Sequence, residues 1–85
     1  MAESSSDIVE LVRGIVVPLV EDVDAVQVTS TIAEDGCEIV EISVAEADAG
    51  KVIGRQGRVI KSIRVLARAA ASATHGNVEV ELVEA

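Results

Sequence analysis

The residues best suited to chemistry are two glycines three positions apart, Gly54 and Gly57, each followed directly by an arginine, Arg55 and Arg58. Glycine permits main-chain conformations closed to other residues and lets a ligand approach the backbone closely. A helix is predicted to begin after this turn, and the first N–H groups of a helix have no intrahelical partner and attract anions. The pattern therefore predicts a site for a sugar-phosphate backbone.

The charge distribution supports an anionic ligand at this turn. The chain has a formal net charge of −8, which taken alone argues against a polyanionic partner. However, segment 51–68 holds six of the seven basic residues and carries +6, which leaves −14 for the rest of the chain. An exposed helix face that merely collected positive charge is the alternative, but a face of one sign beside a glycine turn favours a binding site.

Composition limits both the size of the fold and the way it can bind bases. The 85 residues, 49% of them hydrophobic, suffice for one small domain. The chain has no Phe, Tyr or Trp, so Val, Ile, Leu and Ala must fill its core. Base stacking on aromatic side chains is therefore excluded, and any nucleic-acid contact must use aliphatic surface, main chain and arginine planes.

Hydrophobic periodicity predicts six elements after a disordered tail at residues 1–5. A first helix begins at Asp7, which acts as its N-cap, and ends near Val17, because Pro18 disfavours helix at the preceding residue. The other elements are a hairpin of strands 26–32 and 40–44 around the turn Glu34-Asp35-Gly36, a short helix 45–53, a long helix 58–74 and a strand 78–83.

The long helix has two distinct faces. Its apolar arc consists of Val59, Ile60, Ile63, Leu66, Ala67, Ala70 and Ala71, and its opposite arc consists of Arg58, Lys61, Arg64 and Arg68. Val65 falls outside the apolar arc, and Ala69 and Ser72 lie beside it, so we expect a strip of small and apolar side chains on the surface. Such a strip admits another helix closely, and we predict that it forms a dimer interface.

The element order α-β-β-α-α-β predicts an α+β fold with a three-stranded mixed sheet covered on one face by three helices. The last strand follows its predecessor through two helices, so it can lie parallel to that strand. Residues 6–85 are expected to form this single domain.

The run Val52-Ile53-Gly54-Arg55-Gln56-Gly57-Arg58-Val59-Ile60-Lys61-Ser62-Ile63 resembles the K-homology (KH) signature, an Ile-Gly-x-x-Gly-x-x-Ile core. With the N-terminal helix and strand, the whole chain is similar to type II KH domains, in particular to the KhpA family of small bacterial single-KH proteins. This resemblance implies that the turn clamps about four nucleotides of single-stranded RNA and that bases lie on an aliphatic groove.

The same resemblance assigns roles to individual residues. It implies a clamp at Gly54, Arg55, Gln56 and Gly57, a groove floor at Val52, Ile53 and Ile60, and phosphate neutralisation by Arg58 and Lys61. Secondary phosphate contacts are expected from Lys51, Arg64 and Arg68. The resemblance also implies a homodimer, a heterodimer with a larger KhpB/Jag-type protein, and a role as an RNA chaperone or post-transcriptional regulator.

Two other functions compete with RNA binding. An enzyme is disfavoured because Gly50 to Gly57 match neither a P-loop nor a dinucleotide-binding motif, and no Cys/His or Ser/His pair suggests nucleophilic chemistry or a metal site. The lone Cys37 is expected to be a packing residue. An interaction module with weak or vestigial RNA binding stays open. No cofactor, membrane span or signal peptide is expected, and we predict a cytoplasmic protein.

Overall fold

The computed structural model describes residues 3–72 and 76–83, which contain three α-helices and three strands. In chain order the elements are α1 (Glu3–Val16), β1 (Gln27–Ile32), β2 (Glu38–Ser43), α2 (Ala49–Ile53), α3 (Arg58–Ser72) and β3 (Val78–Val83). This is the predicted order, and the α+β fold of a type II KH domain is confirmed.

The three strands form one mixed sheet in the order β1-β2-β3. Strands β1 and β2 are antiparallel, with Ser30 opposite Val40, and β2 and β3 are parallel, with Val40 beside Val80. The hairpin turn lies at Glu34 to Gly36, as predicted. Among the strands of the described residues, β3 pairs with β2 only, so its other edge can meet α3 or a ligand.

The core lies between one face of the sheet and the helices. Alternate residues of the sheet, such as Val40, Ile42 and Val80, are buried against helix side chains. Helix α3 contributes Ile60, Ile63, Ala67 and Ala71. The prediction that Leu66 belongs to this core is wrong, because Leu66 is 49% exposed. Leu66 lies at the margin of the apolar arc, beyond the part that the sheet and α1 cover.

The helix ends differ in places from the predicted ones. Helix α1 begins at Glu3, so Asp7 is not its N-cap and the predicted tail contributes residues 3–5 to the helix. It ends at Val16, and Pro18 lies in the single 3₁₀ turn that follows. The predicted short helix is divided into a 3₁₀ turn at Glu46–Asp48 and α2. The predicted end of the long helix, residues 73–74, lies outside the described residues.

The lone thiol has a structural setting. Cys37 is half-buried immediately before β2, and its backbone carbonyl accepts a hydrogen bond from the Ala33 amide across the hairpin. Burial, together with the charges of Asp35 and nearby glutamates, raises the pKa of the Cys37 thiol. A raised pKa disfavours the thiolate, which is the reactive form of the side chain.

A buried carboxylate ties the connection after α1 to the start of α2. Asp48 is 2% exposed and accepts hydrogen bonds from the backbone amides of Glu21, at 3.2 Å, and Asp22, at 3.1 Å. Its carboxylate also pairs with the ammonium group of Lys51 at 3.2 Å. The amide of Asp22, then that of Glu21, and the contacts from Lys51 lower the pKa of Asp48, although burial acts in the opposite direction. The ionised carboxylate therefore holds the short helix that precedes the glycine turn.

We expect Asp48→Asn to lower the urea midpoint of unfolding at neutral pH, because an amide cannot serve two backbone donors and an ammonium group equally. Since the pKa of Asp48 is lower in the folded chain than in the unfolded chain, its stabilisation is present above about pH 4 and is lost as the pH falls through the folded value. Urea unfolding monitored by circular dichroism between neutral and acidic pH measures both effects.

Asp24→Asn is the matched control, since it removes the same charge at an exposed position on the connection after α1 that Asp48 holds. If both variants unfold at the same urea concentration, the carboxylate of Asp48 does not stabilise the fold.

Candidate nucleic-acid interface

The glycine turn joins α2 to α3 through three residues with positive φ. Gly54, with φ 78° and ψ 172°, ends α2, and a single 3₁₀ turn follows at Arg55–Gly57. Gln56 has φ 58° and Gly57 has φ 75°. The amide of Gly57 donates to the carbonyl of Gly54 at 3.1 Å, which closes the turn. The main chain therefore bulges between the two helices.

The two glycines are required for different reasons. A Cβ atom at Gly54 would lie 2.7 Å from Cβ and 2.9 Å from the backbone nitrogen of Val59, distances that real Cβ atoms do not show. Gly54 therefore allows the first turn of α3 to pack directly on the chain that enters it. At Gly57 no atom beyond its two chain neighbours lies within 4 Å of such a Cβ, so only its positive φ requires glycine. The space above Gly57 is open to a ligand.

Three of the predicted cations lie on this turn or in the first turn of α3, and no carboxylate in the described part of the chain pairs with them. Arg55, Arg58 and Lys61 are exposed, and none of them forms a salt bridge within residues 3–72 and 76–83. The guanidinium group of Arg58 donates to the side-chain oxygen of Gln56 at 3.4 Å, so these two side chains lie over the turn together. The arrangement combines positive charge with an accessible main chain.

Lys51 differs from these cations, although it was also predicted to contact phosphates. Its ammonium group lies 3.2 Å from carboxylate oxygens of both Glu21 and Asp48. The hydrogen bond to Asp48, followed by that to Glu21, raises the pKa of Lys51. Its charge is therefore compensated within the fold. The spacing of Asp48 and Lys51 by three helical positions is the sequence signal that indicates such a pair.

Arg64 and Arg68 point to strand β3. The Nε atom of Arg64 donates to the backbone carbonyl of Val80 at 3.1 Å, and the guanidinium group of Arg68 lies 3.7 Å from a carboxylate oxygen of Glu79. The basic side of α3 therefore continues from the glycine turn along the edge of β3. Sequence analysis missed the part that β3 plays, because no periodicity shows which helix side chain reaches a strand edge.

The aliphatic residues predicted to form the groove floor have different exposures. Val52 is completely buried, so it supports the turn from within the core and offers no surface to a ligand. Ile60 is also buried, at 8% exposure, whereas Ile53 is half-buried beside Gly54. The placement of Val52 among residues that contact RNA is therefore corrected, because helix α2 turns its side chain inward.

Metal-binding and membrane-spanning features are absent from the described part of the chain. Residues 3–72 and 76–83 contain no cluster of three or more His, Cys, Asp or Glu side chains suited to a metal ion. None of the helices in this part of the chain has the length and apolar character needed to span a membrane.

Comparison with known proteins gives consistent matches over nearly the whole chain. A family model described as "KhpA/KhpB, KH domain" matches residues 9–82. The chain is 43% identical over 74 residues to the RNA-binding protein KhpA of Caldanaerobacter subterraneus, with 87% of this chain and 97% of that protein covered. It is 37% identical over 76 residues to the RNA-binding protein KhpA of Borreliella burgdorferi, with 89% and 92% covered.

Among solved structures, the chain is similar to Era of Aquifex aeolicus, in a crystal structure of a single-residue variant bound to GDP·AlF4⁻. The TM-score is 0.57 at 21% sequence identity, and the match covers 91% of this chain and 31% of Era. This likeness concerns the fold alone. The family model and the relatives, in contrast, identify one family. The relatives are named as RNA-binding proteins and not as enzymes. The chain belongs to the KhpA/KhpB family of KH-domain proteins.

Proposed function

We propose that this protein binds single-stranded RNA by clamping its backbone at the turn formed by Gly54, Arg55, Gln56 and Gly57. The names of its KhpA relatives support RNA as the ligand. The observation that carries the assignment to this turn is the open space over Gly57 beside three exposed cations, Arg55, Arg58 and Lys61, which lie on the turn or in the first turn of α3 and form no salt bridge within the described ranges 3–72 and 76–83. No catalytic step is involved.

The clamp works by proximity and charge. Because Gly57 has no side chain and the space beside it is open, a phosphate can approach the main chain at the start of α3, where the positive end of the helix dipole attracts anions. Arg55 and Arg58 then neutralise that phosphate, and Lys61 neutralises the next one. Bases lie along the side of α3 and contact Ile53, the half-buried aliphatic residue at the turn.

The acidic remainder of the chain restricts binding to this one face. Outside segment 51–68 the chain carries −14, which repels a polyanion. Within segment 51–68, Lys51 is already paired with carboxylates. RNA therefore contacts few positions and binds with moderate affinity, as suits a protein that exchanges its RNA targets. This fits a KhpA-like RNA chaperone or post-transcriptional regulator in the cytoplasm.

A second function, as a protein-interaction or dimerisation module, is favoured by a different observation. Val65 is 62% exposed and Leu66 is 49% exposed, and these neighbours form a shallow apolar groove with Lys61 and Ser62. Ala69 and Ser72 are exposed beside them, as predicted. We propose that this strip on α3 forms a homodimer, and that a heterodimer with a KhpB/Jag-type protein is a further assembly of the family. Dimerisation and RNA binding are compatible.

The clamp predicts that replacing Arg55 and Gln56 together by Asp strongly reduces RNA binding, since two carboxylates then stand where a phosphate is held. Fluorescence anisotropy with a labelled single-stranded RNA measures the loss. Arg13→Asp with Gln27→Asp is the matched control, because the same residue types on α1 and β1 give the same change in net charge. In the parent, neutralisation of two phosphates gives a slope of log affinity on log salt of about −1.4.

If the Arg55/Gln56 variant is folded and binds RNA as well as the parent does, the turn is not the clamp. A parent that binds no single-stranded RNA at low salt would instead leave the interaction module as the function.

The length of the bound RNA decides which cations matter. Arg68 lies ten residues beyond Arg58 on α3, or about 15 Å along the helix. We expect Arg68→Ala to weaken binding of a twelve-nucleotide RNA and to leave binding of a four-nucleotide RNA unchanged, whereas Lys61→Ala weakens both. Anisotropy with the two RNAs tests this, and equal losses for both lengths in Arg68→Ala would contradict it.

The strip on α3 predicts that Val65→Glu converts a dimer into a folded monomer, because a buried carboxylate without a partner opposes association. Sedimentation equilibrium at micromolar concentration measures the mass. Ile32→Glu is the control, since Ile32 is similarly exposed, at 60%, but lies at the end of β1. A Val65→Glu variant as dimeric as the parent would place the interface elsewhere.

A further inference from the structure

One side of helix α3 faces the free edge of strand β3. Together they form a second part of the candidate interface, next to the glycine turn. The amide of Glu38 donates to the carbonyl of Asn77 at 2.9 Å, so Asn77 and every second residue after it direct their main-chain groups toward β2. The main-chain groups of Val78 and Val80 point away from β2, toward the free edge of β3. The carbonyl of Val80 therefore lies on the free edge, where Nε of Arg64 meets it at 3.1 Å.

Arg64 is held differently from the other cations of the basic side. It is half-buried, and one of its five N–H donors is used by Val80. No carboxylate pairs with it within residues 3–72 and 76–83, whereas Arg68 faces Glu79. The contact with Val80 anchors the guanidinium group through Nε, and its two terminal nitrogens donate no hydrogen bond within residues 3–72 and 76–83.

Such an anchored fork is suited to a base edge with two neighbouring acceptors. Guanine presents O6 and N7 side by side, and a bidentate contact from arginine to this pair is the commonest specific base contact. Adenine presents a donor beside N7 on the same edge, so it can accept only one of the two hydrogen bonds. A phosphate also accepts from arginine, but any nucleotide would then satisfy Arg64 equally well.

Arg64 also stands at the right place along the RNA. It follows Arg58 by six residues, which is about 9 Å along α3 from the start of the helix. A strand whose phosphate is held at the glycine turn therefore passes Arg64 with a nucleotide beyond the clamped one. On this geometry we infer that Arg64 is a specificity-determining residue that reads guanine through O6 and N7 at that nucleotide. The inference rests on the proposed RNA clamp at residues 54–57.

The test uses the full chain and octamers of uridine in which a single guanosine is moved through every position. The parent is expected to bind one of these octamers about 5- to 150-fold more tightly than oligouridine, as one bidentate contact provides. In the favoured octamer, inosine retains O6 and N7 and preserves the gain. Replacement by 7-deazaguanosine, which lacks N7, or by adenosine removes most of it.

Arg64→Ala removes every donor of the fork, so it is expected to bind guanosine- and adenosine-containing octamers equally well. Arg68→Ala is the matched control one turn along the helix, since it removes the same charge and keeps the guanosine preference. Circular dichroism shows whether each variant is folded, and the modified bases test the parent protein without any substitution.

The outcomes separate this inference from the clamp itself. If the parent binds all octamers with the same affinity, or binds the adenosine or 7-deazaguanosine octamer as tightly as the guanosine octamer, Arg64 does not read guanine and the clamp stands. If the parent binds no octamer at low salt, the proposed RNA clamp fails, and this inference fails with it.

Discussion

The close packing of Gly54 on Val59 is the contact on which the candidate interface depends. Without a side chain at Gly54, the end of α2 and the first turn of α3 lie almost in contact, and the main chain must leave through left-handed conformations at Gln56 and Gly57. That path exposes the backbone above Gly57 and places Arg55 and Arg58 on the same side of it. A residue with a side chain at position 54 would separate the helices and change all of these positions together.

The distribution of charge is the second requirement for binding at the turn. Binding through the backbone needs positive charge that the protein itself has not neutralised, and the structure divides its cations accordingly. Lys51 holds Glu21 and Asp48 and so serves the fold, whereas Arg55, Arg58 and Lys61 around the turn pair with no carboxylate in the described part of the chain. A net charge calculated for the whole chain hides this division, because fourteen surplus negative charges lie outside segment 51–68.

The sequence was most informative where one residue type determines a conformation or where periodicity is strong. Pro18, the hairpin turn and the alternation in β2 and β3 led to elements close to those observed, and the spacing of Gly54 and Gly57 located the turn. Helical position alone did not show that Leu66 is exposed or that Val52 is fully buried, since exposure depends on which neighbours cover a side chain. The contact between Arg64 and Val80 joins residues sixteen positions apart and leaves no local pattern.

The free edge of β3 has a consequence for how copies of this chain can assemble. Exposed strand edges promote the growth of sheets from one molecule into the next, and proteins commonly protect them with charged side chains. Here the guanidinium group of Arg64 donates a hydrogen bond to the carbonyl of Val80, in the middle of the strand. Joining two sheets edge to edge through β3 would break that hydrogen bond and confront a cation with the incoming strand. Continuous intermolecular sheets, and the aggregation that begins with them, are thereby opposed by a residue of the same helix that carries the basic side chains.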